Sequence, residues 1–128
     1  DKRNFIAMLY KEKIGYKFQV QDILEGSSSS WAQFSILCDS MEHRDLIMKK
    51  LKDNNIPSVI YYITPLHLQK VFCDLDCADK SLSITEDICS RILSLPMNPY
   101  LSEELSILKN SVPEFIKSNF PKQFNRII

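Results

Sequence analysis

The chain reads as an α+β (α/β) domain in two layers: a small sheet of about three mainly antiparallel strands with helices packed on one face. Three observations predict it. The 128 residues suffice for one domain with a modest core. Short strand-like runs fall at 31–38, which alternates, at 58–63, which is rich in β-branched and aromatic residues, and at 93–97. Segments of helical period lie between and around them, giving the order helix, strand, helix, strand, helix, short strand, helix. No fixed-period repeat is present.

The elements follow in order. Arg3, Phe5, Ile6, Leu9, Tyr10 and Ile14 have helical spacing and predict a helix over 3–14, stopped by a C-terminal cap at Gly15. No capping residue precedes it, and the first residue is not Met, which reads as a piece of something longer; a trimmed tag is the alternative. Gly26 and Ser27 to Ser30 form a flexible loop within residues 16–30. From Trp31 to Cys38 the pattern alternates, with Ala32, Phe34, Ile36 and Cys38 on one face and Gln33 and Ser35 on the other. Asp39 or Ser40 caps the second helix, which carries Glu42 in its first turn, Lys49, Lys50 and Lys52 near its end, and an Ile47/Leu51 stripe. Asn54-Asn55 ends it, and Pro57 forbids continuation. Ser58 to Ile63 is the second strand, and Leu66 to Phe72 a short helix after Pro65. Residues 73–83 read as an irregular acidic loop. Ile84, Ile88, Ile92 and Leu95 mark the third helix, capped by Ser83 or Thr85, and residues 93–97 finish as a short strand. Ser102 caps a fourth helix with the stripe Leu105, Leu108, Val112 and Phe115, kinked or divided at Pro113. The domain boundaries expected from this are an incoming helix and Ser-rich loop over 1–30, the small domain over 31–120 and a tail over 121–128.

Composition narrows the function classes. Sixteen basic residues balance sixteen acidic ones, so there is no basic excess to neutralise phosphate backbones or anionic lipid, and neither nucleic acid nor membrane is expected as a partner. No apolar run approaches the ~18–20 residues that span a bilayer, and the N-terminus leads into no signal-peptide core. A cytoplasmic location and free thiols at Cys38, Cys73, Cys77 and Cys89 follow as expectations. With only Gly15 and Gly26 there is no glycine-rich phosphate loop, and no nucleophile elbow is present.

The densest polar constellation is Tyr61-Tyr62…Pro65-Leu66-His67. Adjacent tyrosines on a strand point to opposite faces, so one can pack in the core while the other lines a pocket; packing alone suits both as well. His67 can hydrogen-bond a ligand, move a proton or bind a metal, or simply stabilise its turn, and no acid lies within several residues to orient it. His67, Cys73 and Cys77 lack a CxxC pair, so no metal site is assigned. Cys89 reads as core, His43 as exposed, and the lysines of the second helix as a solvated end rather than a phosphate patch. No catalytic set of acid, base and nucleophile can be assembled.

Three segments resemble, in order, the DegT/DnrJ/StrS family of sugar aminotransferases. Trp31-Ala32-Gln33-Phe34-Ser35-Ile36 is similar to the family's W-A-Q-Y-T-I strand. Ile56 to Phe72 resembles G-I-P-T-x-x-(H/Y)-Y-P-x-P-L-H-x-Q-x-x-F. Ile84-Thr85-Glu86 through Leu93-Ser94-Leu95-Pro96-Met97-Asn98-Pro99-Tyr100-Leu101-Ser102 resembles (V)-(S/T)-E…L-S-L-P-M-x-P-x-L-T. Asn55 stands where the family usually has glycine, Ile63 where it has proline, and Ser83 where a proline commonly precedes the third segment.

The resemblance implies the C-terminal small domain of an aspartate-aminotransferase-like fold, in a generally dimeric enzyme. Such enzymes use pyridoxal phosphate (PLP) to move an amino group, usually from glutamate, onto a nucleotide-linked keto-sugar for glycan or antibiotic-sugar synthesis. The cofactor lysine, the aspartate facing the pyridine nitrogen and the phosphate-binding residues precede the matched region, so this chain alone is expected neither to hold PLP nor to transaminate. What carries over is substrate binding by Tyr61 and Tyr62, with His67 in support. A non-catalytic ligand- or partner-binding remnant is the rival reading.

Overall fold

The computed structural model describes residues 1–72 and 81–98. Its described residues contain three α-helices, α1 (Lys2–Ile14), α2 (Met41–Asp53) and α3 (Ser83–Arg91), and three strands, β1 (Gln19–Val20), β2 (Phe34–Leu37) and β3 (Ile92–Leu95). The strand order is β1-β2-β3, so the class is the expected α+β with a three-stranded antiparallel sheet. The expected fourth helix from Ser102, the tail over 121–128 and most of the acidic loop lie outside the described residues. The chain divides into two compact units, residues 1–34 with 96–128, and residues 35–95.

In the first unit α1 buries Ile6, Ala7, Tyr10 and Ile14, a single helical face. Phe5, expected on that stripe, is exposed. The Tyr10 ring stacks at 4.9 Å on Phe34, which lies 5.6 Å from Trp31, and the Tyr10 hydroxyl donates to the Pro96 carbonyl at 2.9 Å. Burial pushes the Tyr10 phenol well above its ordinary pKa, so it acts as a fixed donor. Gly15 ends α1, but not through the left-handed conformation common at caps: its φ is −62°. Glycine is needed because an added Cβ would press into the Lys11 carbonyl. The Ser-rich segment begins at a turn closed by the Ser27 amide on the Leu24 carbonyl at 3.0 Å, with Gly26 at φ 76°, the sign that a type II turn demands at that place. The short β1 precedes that run, at residues for which the sequence predicts no element. Trp31 has φ 48° and Ala32 is exposed, so the strand opens only at Phe34.

In the second unit Ser40 caps α2, its hydroxyl accepting from the His43 amide at 3.2 Å. Ile47 and Leu51 are fully buried as their spacing predicts. The helix stops in a Schellman motif: the Asn55 amide donates to the Lys52 carbonyl and the Ile56 amide to the Leu51 carbonyl, both at 2.9 Å. Asn55 sits at φ 58°, the left-handed region. This explains the departure from glycine, since asparagine is the side chain that best tolerates that conformation. Ile56 and Leu51, the two positions such a motif brings together, are both buried.

Strands β2 and β3 pair antiparallel: the Cys38 amide donates to the Arg91 carbonyl at 3.0 Å, and the Ser35 and Ser94 hydroxyls meet at 2.8 Å in the same register. Ser35, expected on an open polar face, is therefore buried against Ser94. β3 begins at Ile92, where the backbone turns extended (ψ 143°), so Ile92 leaves the stripe expected for α3. Of the rest of that stripe, Ile84 is 76% exposed and Ile88 half-buried. Arg44 is buried on α2, its guanidinium donating to the Ser90 carbonyl and to Asp45. Arg91 holds Asp87 at 2.8 Å and the Cys38 carbonyl at 2.9 Å.

The expected strand over 58–63 does not form. Only Val59 pairs, exchanging hydrogen bonds of 3.1 and 2.8 Å with Ser94. Pro57 and Pro65 offer no amide to a ladder, and between them the chain turns away after Ile60. The expected helix over 66–72 is two 3-10 turns, Leu66–Leu68 and Lys70–Phe72, interrupted where Gln69 goes extended (ψ 139°).

Candidate functional site

Because pairing ends at Val59, the alternation assumed for the two tyrosines does not apply. Neither packs in a core: Tyr61 is 40% and Tyr62 62% exposed. Their rings meet edge to face at 5.7 Å and 69°, an arrangement that aromatic quadrupoles favour. The Tyr61–Tyr62 peptide is cis.

Tyr62 borders an open depression of about 550 Å³. Thr64, Gln69 and Lys70 supply its other polar groups, and Ile60, Ile63 and Leu68 its apolar surface. Gln69 ties the rim together, its side-chain amide donating to the Thr64 carbonyl at 3.3 Å. Tyr61 and His67 do not line this depression. Thr64, Gln69 and Lys70 escaped the sequence reading because their spacing means nothing until the two 3-10 turns fold them beside Tyr62.

His67 is placed elsewhere. It is buried, 7% exposed, and its Nε2 lies 3.1 Å from Glu86 Oε1. The acid absent from its sequence neighbourhood is thus supplied nineteen residues away, at the start of α3. The same carboxylate oxygen accepts the Leu82 amide at 2.9 Å. Glu86 therefore caps α3, a task expected of Ser83 or Thr85; Leu82 holds the cap position and lacks a side-chain acceptor. Ser83 is the first helical residue, a position where proline is favoured, which accounts for the family's proline there. The hydrogen bond from His67, then that from Leu82, holds the Glu86 carboxyl below its ordinary range. The signal available in the sequence was that His67 and Glu86 each belong to a matched segment.

The remaining reactive groups form no catalytic set among the described residues. Burial pushes the Cys38 thiol up to about 12, which removes its nucleophilic thiolate. Cys89 is half-buried on α3 rather than core. His43, expected to be exposed, is half-buried, with Nδ1 3.0 Å from Asp39. No cluster of three metal-ligating side chains occurs among the described residues, and Cys73 and Cys77 lie outside them. None of the described helices is long and apolar enough to cross a membrane. The depression does not fit PLP: Schiff-base chemistry needs an enclosed lysine and a carboxylate or guanidinium partner for the pyridine nitrogen, and among the described residues its lining, which is open, contains neither partner.

Comparison with known proteins supplies the context. The sequence profile of the DegT/DnrJ/EryC1/StrS aminotransferase family matches residues 1–107. The chain is 35% identical over 78 residues to the erythromycin biosynthesis sensory transduction protein EryC1 of Saccharopolyspora erythraea, covering 61% of this chain and 20% of that protein. It is 34% identical over 105 residues to the UDP-N-acetyl-3-dehydro-α-D-glucosamine 3-aminotransferase of Acidithiobacillus ferrooxidans, covering 81% and 27%. Among solved structures, a family aminotransferase from Brucella abortus matches with a TM-score of 0.76 and 39% identity, over 90% of this chain and 30% of that one. The Bacillus subtilis protein NtdA, solved with bound PMP, matches with a TM-score of 0.73 and 27% identity, over 91% and 28%. This chain thus spans between a fifth and a third of the length of these relatives. The matched profile, the relatives and the shared fold agree: the chain belongs to the DegT/DnrJ/EryC1/StrS aminotransferase family.

Proposed function

We propose that this chain is the small C-terminal domain of a PLP-dependent aminotransferase that moves an amino group from glutamate to a nucleotide-linked keto-sugar. The observation that carries the reading is the family match over residues 1–107, joined by a relative that acts on a UDP-linked amino-sugar precursor. In that enzyme the large domain holds the cofactor and performs the covalent chemistry, and this domain supplies one wall of the substrate site. Tyr62, exposed over the depression, and Tyr61 beside it donate hydrogen bonds to sugar or phosphate oxygens. His67 supports them from beneath: its bond to Glu86 ties the turn that follows the tyrosines to the start of α3. The enzyme works as a cytoplasmic homodimer, with residues 1–30 as the incoming segment, 31–120 as the domain proper and 121–128 as its tail.

Expression of the complete reading frame tests the proposal. The protein should show the absorbance of bound PLP and aminate a UDP- or dTDP-linked keto-sugar at the expense of glutamate. A complete protein with no cofactor absorbance refutes it.

A further inference from the structure

We propose that the depression beside Tyr62 is an anion subsite in which Lys70 meets the diphosphate of a nucleotide-linked sugar. The inference rests on the nucleotide-sugar reading above and assigns one part of the substrate to one part of this surface.

The lining and the setting of Lys70 carry it. Among the described residues, Lys70 is the only charged side chain lining the depression. Among the described residues Lys70 enters no ion pair and lies over no aromatic ring, unlike Lys11, Lys13 and Lys17. The groups around it are hydrogen-bonding ones, the Tyr62 and Thr64 hydroxyls and the Gln69 amide, which suit phosphate or sugar oxygens. Ile60, Ile63 and Leu68 form the apolar part of its surface. The volume, about 550 Å³, falls in the range of small-ligand sites. Gln69 is positioned by the hydrogen bond that its side-chain amide donates to the Thr64 carbonyl at 3.3 Å.

A lysine on an apolar shelf reads charge rather than base identity, so the ligand should be recognised by its phosphates. The ¹⁵N-labelled 128-residue chain, titrated with UDP, inorganic pyrophosphate and uridine, tests this. UDP and pyrophosphate should shift the amides of Tyr62, Thr64, Gln69 and Lys70, while uridine leaves them in place. Lys70→Met should weaken UDP binding about fivefold, the effect of one partly exposed charge, and Lys70→Arg should retain most of it. Equal shifts with uridine, no saturable shift below ~10 mM UDP, or unchanged affinity in Lys70→Met overturns the subsite. Its failure is separable from that of the function. A complete protein that carries PLP but has no Lys70-dependent UDP binding loses only the subsite. A chain that binds UDP through Lys70 while the complete protein lacks the cofactor loses only the aminotransferase reading.

Discussion

Replacing His67 by alanine tests whether the substrate-facing segment hangs on one buried contact. The His67 side chain is 5% exposed, and its ring fills space between the Leu66–Leu68 turn and the start of α3. Removing the ring exposes or empties on the order of 80 Å² of apolar contact, which at ~25 cal/mol/Å² is about 2 kcal/mol. The lost hydrogen bond adds little to that figure, because the Glu86 side chain is 37% exposed and its carboxylate returns to water. With a urea m-value of about 2 kcal/mol/M, the unfolding midpoint of His67→Ala should fall by about 1 M at pH 7. Acid provides the second reading. The Glu86 carboxyl is held below its ordinary value of 4.5, first by His67 and then by the Leu82 amide. A carboxyl depressed in the folded state contributes stability that is whole above 4.5 and is lost as pH falls through its folded value. His67→Ala lacks the larger of the two causes, so the gap between the chain and the variant should narrow between pH 7 and pH 3. An unchanged midpoint at pH 7, or a gap that widens into acid, refutes the argument.

Other expectations concern single contacts. Asn55→Val, at φ 58°, should cost about 1–2 kcal/mol in urea unfolding, whereas Asn55→Gly should be neutral or slightly stabilising. Ser35→Ala leaves the Ser94 hydroxyl buried without its partner and should cost about 1–2 kcal/mol; the double change Ser35→Ala with Ser94→Ala should recover most of that loss. Gly15→Ala forces a Cβ against the Lys11 carbonyl and should destabilise by about 1–3 kcal/mol, measurable as a lowered thermal midpoint. In native protein at pH 8, mass spectrometry after brief alkylation should find Cys38 unmodified, because burial holds its thiol near 12.

Helix α2 was legible nearly residue by residue, and the reason is local. A serine cap, a first-turn acid, terminal lysines, two asparagines and a proline all act within about four residues of where they stand, and the Schellman motif at Asn54-Asn55-Ile56 is written in that span. The β2 face was half legible: Phe34, Ile36 and Cys38 are buried as alternation predicts, but Ser35 was misplaced because its burial depends on Ser94 across the ladder. The candidate site was least legible. Tyr62 was named, yet Thr64, Gln69 and Lys70 join it only through the 3-10 turns, and Tyr61 and His67 face other surroundings.

By itself, the sequence determined the family, the α+β class and those element ends whose chemistry is carried by neighbours in the chain. Tertiary structure decided the rest. A β-branched run such as 58–63 becomes a strand only as far as a partner offers free amides and carbonyls, and Ser94 offers them to Val59 alone. A histidine acquires a role only when a distant carboxylate reaches it, as Glu86 does for His67. Both outcomes depend on contacts between residues far apart in the chain, which periodicity and propensity do not encode.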